Sequence, residues 1–393
     1  METATTAEPG LLSLSAREAA SAQSFGVVSL LFAGVLPALL GALGDEHRLS
    51  AEGFGWVAAT EALTMGAATA FAGMALPPKR LRLIGFIATL ALAAIDFAGM
   101  GADGTSVLFL RAMAGVAEGV LLWITVGMIA RTETPERWAG IFFTASTAAQ
   151  LLLALLFAFF VIGRFGADGG FAALGTATLL GLGGVVFCPS RYGPLPGGDG
   201  AAGAPPFRGW VALFATLIYV AAGGAVGIYL QPLARQAGLS ADVARTALWT
   251  SLAAQIGGAM VATALAGKVR YFTAFLAGSA VVLASWAVFS LRVPAFAFVL
   301  ANTALGFATV FVAPFLVPMT IEADPSRRTA MQSAGAQLLA GALGPLASAR
   351  LVSDNDVHGA LVLGTIFLLA GMSLIATLHF LAVKDRAALL QRA

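Results

Sequence analysis

Four ionisable side chains fall inside long apolar stretches of this sequence: Glu61, Asp96, Arg111 and Glu118. A charge at membrane depth is costly and rare, and its default explanation is functional: a proton relay, an ion path or an anchor for a charged solute. At 1.5 Å per residue, Glu61, Asp96 and Arg111 each lie about 7–12 Å in from the outer ends of their helices, so three neighbouring helices can bring them into one layer. Glu118 follows Arg111 by seven residues, on nearly the same helix face and about 10 Å deeper. An Arg111–Glu118 pair whose access to water alternates can load and release a proton. Structural readings stand beside this one. Asp96 is only a few residues from the end of its helix and can face outer water, and Glu61 can be a plain helix-to-helix salt bridge to Arg111.

The chain repeats itself at an offset of about 190 residues. Leu49-Ser50-Ala51-Glu52 returns as Leu239-Ser240-Ala241-Asp242, and Pro135-Glu136-Arg137 returns as Pro325-Ser326-Arg327. Lys79-Arg80-Leu81-Arg82 has its counterpart in Lys268-Val269-Arg270. In the second copy the four charges are replaced by Ser251, Trp286, Ala301 and Ala308. This predicts a division of labour: the first half handles protons, and the second half offers neutral contacts to a solute through Tyr219, Gln255, Asn302 and Gln337. The bland reading of those four is hydrogen bonding between neighbouring helices. Gly115, Gly119, Gly223 and Gly227 read as packing residues that let helices approach.

The elements that must hold these residues are membrane helices. Hydrophobic residues make up 59% of the chain and charged residues 11%, against roughly 25% charged in soluble domains. With about 20 apolar residues per span, spans are placed near 22–43, 53–76, 82–101, 105–130, 138–162, 168–188, 208–232, 243–266, 271–291, 294–320, 328–350 and 359–383. The predicted fold class is therefore an all-α membrane protein of twelve transmembrane helices in two pseudo-symmetric six-helix bundles, 22–188 and 208–383. A Pro/Gly-rich linker, 189–207, separates them and is expected to be flexible. Residues 1–21 and 384–393 are the tails. The first 20 residues hold Arg17 and three acids, Glu2, Glu8 and Glu18, which is not a signal peptide, so the first span is expected to be its own insertion signal. Most of the 22 Lys and Arg residues fall in segments on one side, which places both termini and the linker in the cytoplasm and the chain in the cytoplasmic (inner) membrane.

A duplicated helical bundle is the mark of a secondary transporter, in which two halves rock about a central site. The residues then resemble the major facilitator superfamily over nearly the whole chain: two sets of six spans, a central loop and inside termini. The local match is Arg111-Ala-Met-Ala-Gly115-Val-Ala-Glu118-Gly119, which resembles that family's fourth-helix signature of an Arg followed four residues later by Gly. The resemblance implies a role in proton coupling or substrate binding for Arg111. The family's loop between spans two and three is matched by Gly73 and by the basic residues Lys79, Arg80 and Arg82, but Pro77 stands where that loop carries Asp. The Gly-Pro signature that many exporters carry in span five is absent there, and Gly341-Ala-Leu-Gly344-Pro345 occurs in span eleven instead.

Other classes fit less well. A phosphate-cradling loop would need Gly where Thr263 stands and Ser or Thr after Gly267-Lys268, where Val269 follows. His47, His358 and His379 lie far in sequence from the buried acids, so neither an enzyme nor a metal or other cofactor is expected. The acidic loop 351–358, with Asp354 and Asp356, supplies too few oxygens for a calcium cage and reads as a solvated turn. No basic, aromatic-interleaved patch points to nucleic acid. The expected partners are a small-molecule substrate, protons and the lipid bilayer, with the chain acting as a monomer. Two transport readings follow. The preferred one is proton-coupled uptake of a small organic solute with Arg111 pairing its carboxylate, to which the missing span-five signature points. The alternative is proton-antiport efflux of amphipathic or cationic compounds, which the excess of three acids over one Arg favours.

Overall fold

The computed structural model describes residues 14–195, 203–353 and 356–391. These residues are almost wholly helical. The first half holds α1 (Ala16–Ser29), α2 (Leu31–Asp45), α3 (Ala51–Ala75), α4 (Leu81–Ala98), α5 (Gly104–Ile129), α6 (Pro135–Leu156), α7 (Ile162–Leu180) and α8 (Gly183–Phe187). The second holds α9 (Phe207–Gly227), α10 (Leu230–Gln236), α11 (Ala241–Leu265), α12 (Tyr271–Phe289), α13 (Ala295–Val312), α14 (Leu316–Ala323), α15 (Arg328–Ser348) and α16 (His358–Leu390). Helix follows from sequence here because apolar runs with good helix formers leave the backbone no other way to satisfy its N–H and C=O groups in lipid.

Nine stretches among the described residues are long and apolar enough to cross a membrane. The difference from the expected twelve lies in three places. Pro135–Phe187 is one run of 53 residues, but Gly166 adopts a φ of 61° within it, a conformation that favours glycine. The helix beyond folds back on Phe157, whose Cε1 would lie 3.3 Å from a Cβ at Gly170. The Glu46 carboxylate accepts the Ala167 N–H at 2.7 Å, capping the restart. The other two are α3 and α15, which are helical but not among the nine. Their polar residues lower their hydropathy, and one face of each lies against the other between the halves: a Cβ at Gly335 would sit 2.9 Å from the Gly66 carbonyl oxygen.

Regular structure reaches into two segments expected as a tail and a flexible linker. The first helix begins at Ala16, capped by Ser15, so residues expected in a tail belong to it; Ser15 and Glu18 cap one another reciprocally. The first part of the linker is tied down: Leu81 N–H donates to the Ser190 carbonyl at 3.0 Å, Tyr192 N–H to Pro78 at 3.0 Å, and Tyr192 hydroxyl to Ile124 at 3.1 Å. Lys79 and Arg191 form an isolated β-bridge. Residues 196–202 lie outside the described residues, as does Asp354. In that acidic loop the Asp356 carboxylate accepts the His358 N–H at 2.9 Å, and this bond holds its carboxyl below the usual range.

The halves close on each other at the end that carries the linker. Ala330 and Met331 of α15 are buried in the core of the first half. Arg327, at the start of α15, donates to the carbonyls of Ala130 at 3.0 Å and Thr132 at 2.7 Å, where α5 ends. Cations are favoured at such an end, where carbonyls lack helical partners. Arg131 donates to the Gly127 carbonyl at 2.8 Å and approaches the Met331 sulfur at 3.7 Å. Arg327→Gln removes bonds worth about 1.5–3 kcal/mol each. It is expected to raise, by tenfold or more, the maleimide labelling rate of a cysteine placed at Ala70 beside Gly335, in a Cys188→Ser background. An unchanged rate would show that Arg327 does not hold this end shut.

Candidate functional site

The four intramembrane charges meet. Arg111 donates from Nε to Glu61 Oε2 at 2.7 Å and from Nη2 to Glu61 Oε1 at 2.9 Å, a two-pronged pair. Its Nη1 donates to Asp96 Oδ1 at 2.8 Å, and Nη2 also reaches Glu118 Oε1 at 3.1 Å. Thr178 Oγ1 on α7 donates to Asp96 Oδ2 at 2.9 Å. All four charged residues are buried; Arg111 is 1% exposed and Glu118 2%. The Phe32 ring of α2 covers the guanidinium, with 3.7 Å between ring centroid and Arg111 Cζ, a geometry in which the ring's negative face attracts the cation.

Glycine makes the layer possible. A Cβ at Gly115 would lie 2.6 Å from the Glu61 carbonyl oxygen, and one at Gly119 would lie 2.5 Å from that of Met65. With hydrogen there instead, α5 lies against α3 closely enough for Glu61 to reach Arg111 across the helix pair. The Arg-then-Gly spacing read in the sequence is thus one device: the arginine supplies the charge, and the glycines bring its partner within reach. Gly223 and Gly227 do not do this, since a Cβ at either meets nothing within 4 Å. Their helix is approached instead by Gly344, whose added Cβ would be 2.4 Å from the Ala221 carbonyl oxygen.

A cavity of about 600 Å³ lies between the halves beside this cluster, within the 300–1,000 Å³ usual for small-molecule sites. It runs from Trp56, 55% exposed near the end of α3 remote from the linker, inward to Glu61, Met65 and Glu118. Its other wall comes from Tyr229, Gln337 and Pro345 of the second half. Leu30, where α1 breaks into α2, and Ile228 and Tyr229, where α9 breaks into α10, both lie on the wall. Irregular backbone at membrane depth is tolerated where it lines a cavity. Pro37 adds to the irregularity of α2, having no N–H for the Ala33 carbonyl on the wall.

Each charge on the wall is a carboxylate. Arg111 is not part of the lining, because Phe32, Glu61 and Glu118 stand between it and the space. Glu118 Oε2 is buried and accepts no N–H or O–H among the described residues. The nearest polar group to this carboxyl besides Arg111 is the carboxyl of Glu61, close enough to share a proton with it. Unpaired buried oxygens are rare and call for an explanation.

Of the neutral candidates, Gln337 is on the wall, with Nε2 3.4 Å from Ser333 Oγ. Tyr219 is not. Its hydroxyl pairs with Ser279 Oγ at 3.1 Å and its ring meets Phe275 edge-on in the core of the second half. Asn302 donates to the Ala247 carbonyl at 2.7 Å, joining α13 to α11. Gln255 is partly exposed and does not line this cavity. A polar residue in an apolar helix has two uses, and for Tyr219 and Asn302 the helix-to-helix bond has claimed it. Nothing in the spacing of Phe32, Tyr229 and Thr178 marks them, since an aromatic in an apolar helix is usually core, and Trp56 near a span end reads from sequence as an interfacial aromatic without a chemical role. The duplication gives no hint for Phe32 or Tyr229, since α1 and α2 part at Leu30 whereas α9 and α10 part at Ile228 and Tyr229. His379 is buried against Tyr271, Nδ1 to hydroxyl 3.0 Å, and among the described residues no three His, Cys, Asp or Glu side chains gather as a metal site.

No protein-family model and no curated protein sequence matches the chain. Solved structures do. A crystal structure described as the human organic anion transporter MFSD10 (TETRAN) superposes with a TM-score of 0.71 at 13% identity, over 91% of this chain and 99% of that one. That of the major facilitator superfamily transporter FucP, in its outward conformation, superposes with a TM-score of 0.73 at 12% identity, over 92% and 98%. Nearly the whole of each neighbour is matched by nearly the whole of this chain, at an identity that speaks for architecture alone: the chain has the fold of the major facilitator superfamily.

Proposed function

We propose that the chain is a secondary active transporter that exchanges protons for amphipathic organic cations across a membrane by alternating access. The observation that carries this reading is Glu118: a buried carboxylate on the cavity wall whose Oε2 takes no bond from Arg111 or another N–H or O–H among the described residues and lies beside a second carboxyl, Glu61, while the guanidinium behind it is already held by three acids. Three carboxylates around one guanidinium leave a double negative charge if all are ionised. That charge is costly in a dry interior, and a proton or a ligand cation at Glu118 offsets it. Two cations that compete for one carboxylate are exchanged rather than carried together. The cavity's apolar walls, Leu30, Ala33, Leu36 and Met65 among them, suit the hydrocarbon part of such a solute. Closure at the linker end and a cavity reaching Trp56 at the other correspond to an outward-facing state if the linker is cytoplasmic.

The reading of anion uptake anchored by Arg111 is disfavoured by the same geometry, because the guanidinium would have to leave three carboxylates to reach the cavity. The organic anion transporter among the structural neighbours is the observation on its side. Purified protein in proteoliposomes separates the two. Under an imposed proton gradient, a fluorescent lipophilic cation should accumulate against its own gradient, in exchange for protons, and organic carboxylates should not. Carboxylate flux with no cation flux would reverse the assignment, and flux indifferent to the gradient would sink both proton-coupled readings.

A further inference from the structure

At the linker end the two halves meet along two seams, and the seams are sealed differently. In the first, α3 meets α15 and Arg327 is held by carbonyls at the end of α5. In the second, α6 meets α11, and they cross at Gly140, where a Cβ would lie 2.3 Å from Thr263 Oγ1. The duplication makes Arg137, at the start of α6, the counterpart of Arg327. Arg137 is exposed, and its side chain makes no hydrogen bond or ion pair among the described residues. Lys268, just past α11 on the facing half, is in the same condition.

Between these two cations opens a cleft of about 640 Å³. Ile141, Ala145 and Ala148 of α6 and Met260 and Ala264 of α11 form its walls. Thr144 and Thr263 also line it, but each donates its hydroxyl to its own helix, to Gly140 and Ala259, both at 2.8 Å. The walls are therefore effectively apolar. From Arg137 to Ala148 the trench runs about 16 Å along the helix. It carries two unmatched positive charges at its mouth and hydrocarbon along its length, and basic pockets between membrane helices take anionic lipid headgroups.

We propose that this cleft binds one anionic phospholipid, with its phosphate between Arg137 and Lys268 and an acyl chain in the trench. The lipid bridges the two halves and closes the second seam as Arg327 closes the first. A zwitterionic lipid brings no net charge to the two cations. At about fivefold per cation near a membrane surface, the preference for an anionic lipid is about 30-fold.

The test uses the full chain in detergent, by native mass spectrometry and thermal melting, with phosphatidylglycerol, phosphatidylcholine or inorganic phosphate added. One phosphatidylglycerol per chain should be retained about 30-fold more strongly than phosphatidylcholine and should raise the melting temperature. Arg137→Gln with Lys268→Gln should abolish both effects. Arg208→Gln, which removes an exposed cation paired with Asp385 at 2.6 Å, should leave them unchanged. Should the double variant fold poorly, Ala145→Trp keeps both cations and fills the trench, and it too should lose the lipid. Equal retention of the two lipids, or undiminished phosphatidylglycerol binding in either cleft variant, overturns the proposal. Stabilisation by inorganic phosphate alone, equal to that by phosphatidylglycerol, overturns it in favour of a free-anion site.

Discussion

Arg111→Ala is expected to cost this protein about 3–5 kcal/mol of stability, the usual effect of removing one partner from a buried charged network. The reason is what remains. Glu61, Asp96 and Glu118 would face one another in a dry layer without the guanidinium that now takes four hydrogen bonds to them. Thr178 would still satisfy one oxygen of Asp96, and nothing comparable serves the other two. Thermal unfolding in detergent should show a large fall in melting temperature, with low yield of folded protein. Arg111→Lys should not rescue it, because an ammonium cannot span the planar arrangement that joins Glu61 in two bonds and Asp96 and Glu118 in one each. The informative variant adds Glu61→Gln and Asp96→Asn to Arg111→Ala. Removing two of the three stranded charges along with the cation leaves Glu118 alone beside the cavity and should recover most of the loss. A single variant that melts with the wild type, or a triple variant no better than the single one, would show that the layer is not the structural keystone its geometry suggests.

That cluster was legible in sequence to an unusual degree, and the reason is physical. Intramembrane charge is so costly that four ionisable residues in apolar helices have to find one another, and helical rise alone placed three of them at one depth. The reach of Glu61 was open in sequence as a salt bridge to Arg111, and the structure adds that Gly115 is the point where α3 and α5 touch. The neutral residues carried no such compulsion. Asn302 and Tyr219 gain as much from a helix-to-helix bond as from a solute, and sequence does not say which. The charged layer and the cavity wall also proved to be different surfaces. Arg111 belongs to the first and not the second, because Phe32 lies between, and no periodicity announces that an aromatic will cover a guanidinium. The same holds for α3 and α15. Both are expected as ordinary spans, and their modest hydropathy reflects a face between the halves, where small and polar residues meet.

Glu118→Gln is the substitution that should leave the fold intact and remove the exchange. Gln keeps the size of Glu, and its carbonyl can still accept from Arg111 Nη2, so the melting temperature should stay within a few degrees of wild type, unlike that of Arg111→Ala. What disappears is a titratable oxygen on the cavity wall. Losing one partner of a buried charge pair at a binding site costs about 2–5 kcal/mol, which at 1.4 kcal/mol per decade is a loss of about 30-fold to more than 1,000-fold in cation affinity. The sign with pH follows from competition. In the wild type a proton and the ligand cation contend for Glu118, so cation binding should tighten as pH rises; in Glu118→Gln that slope should be flat. Proton-driven flux in proteoliposomes should vanish with it. A neutral isostere of the cation serves as the control, since it should bind both proteins equally through the apolar wall around Met65 and Leu36. If Glu118→Gln bound cations as tightly as the wild type and with the same slope, the acceptor would have to be Glu61, the other carboxylate on the wall. Glu61 engages Arg111 with both oxygens, so a cation could reach it only by breaking that two-pronged pair. Gln at 61 would then move the slope and the melting temperature together, and that joint change would distinguish the two assignments.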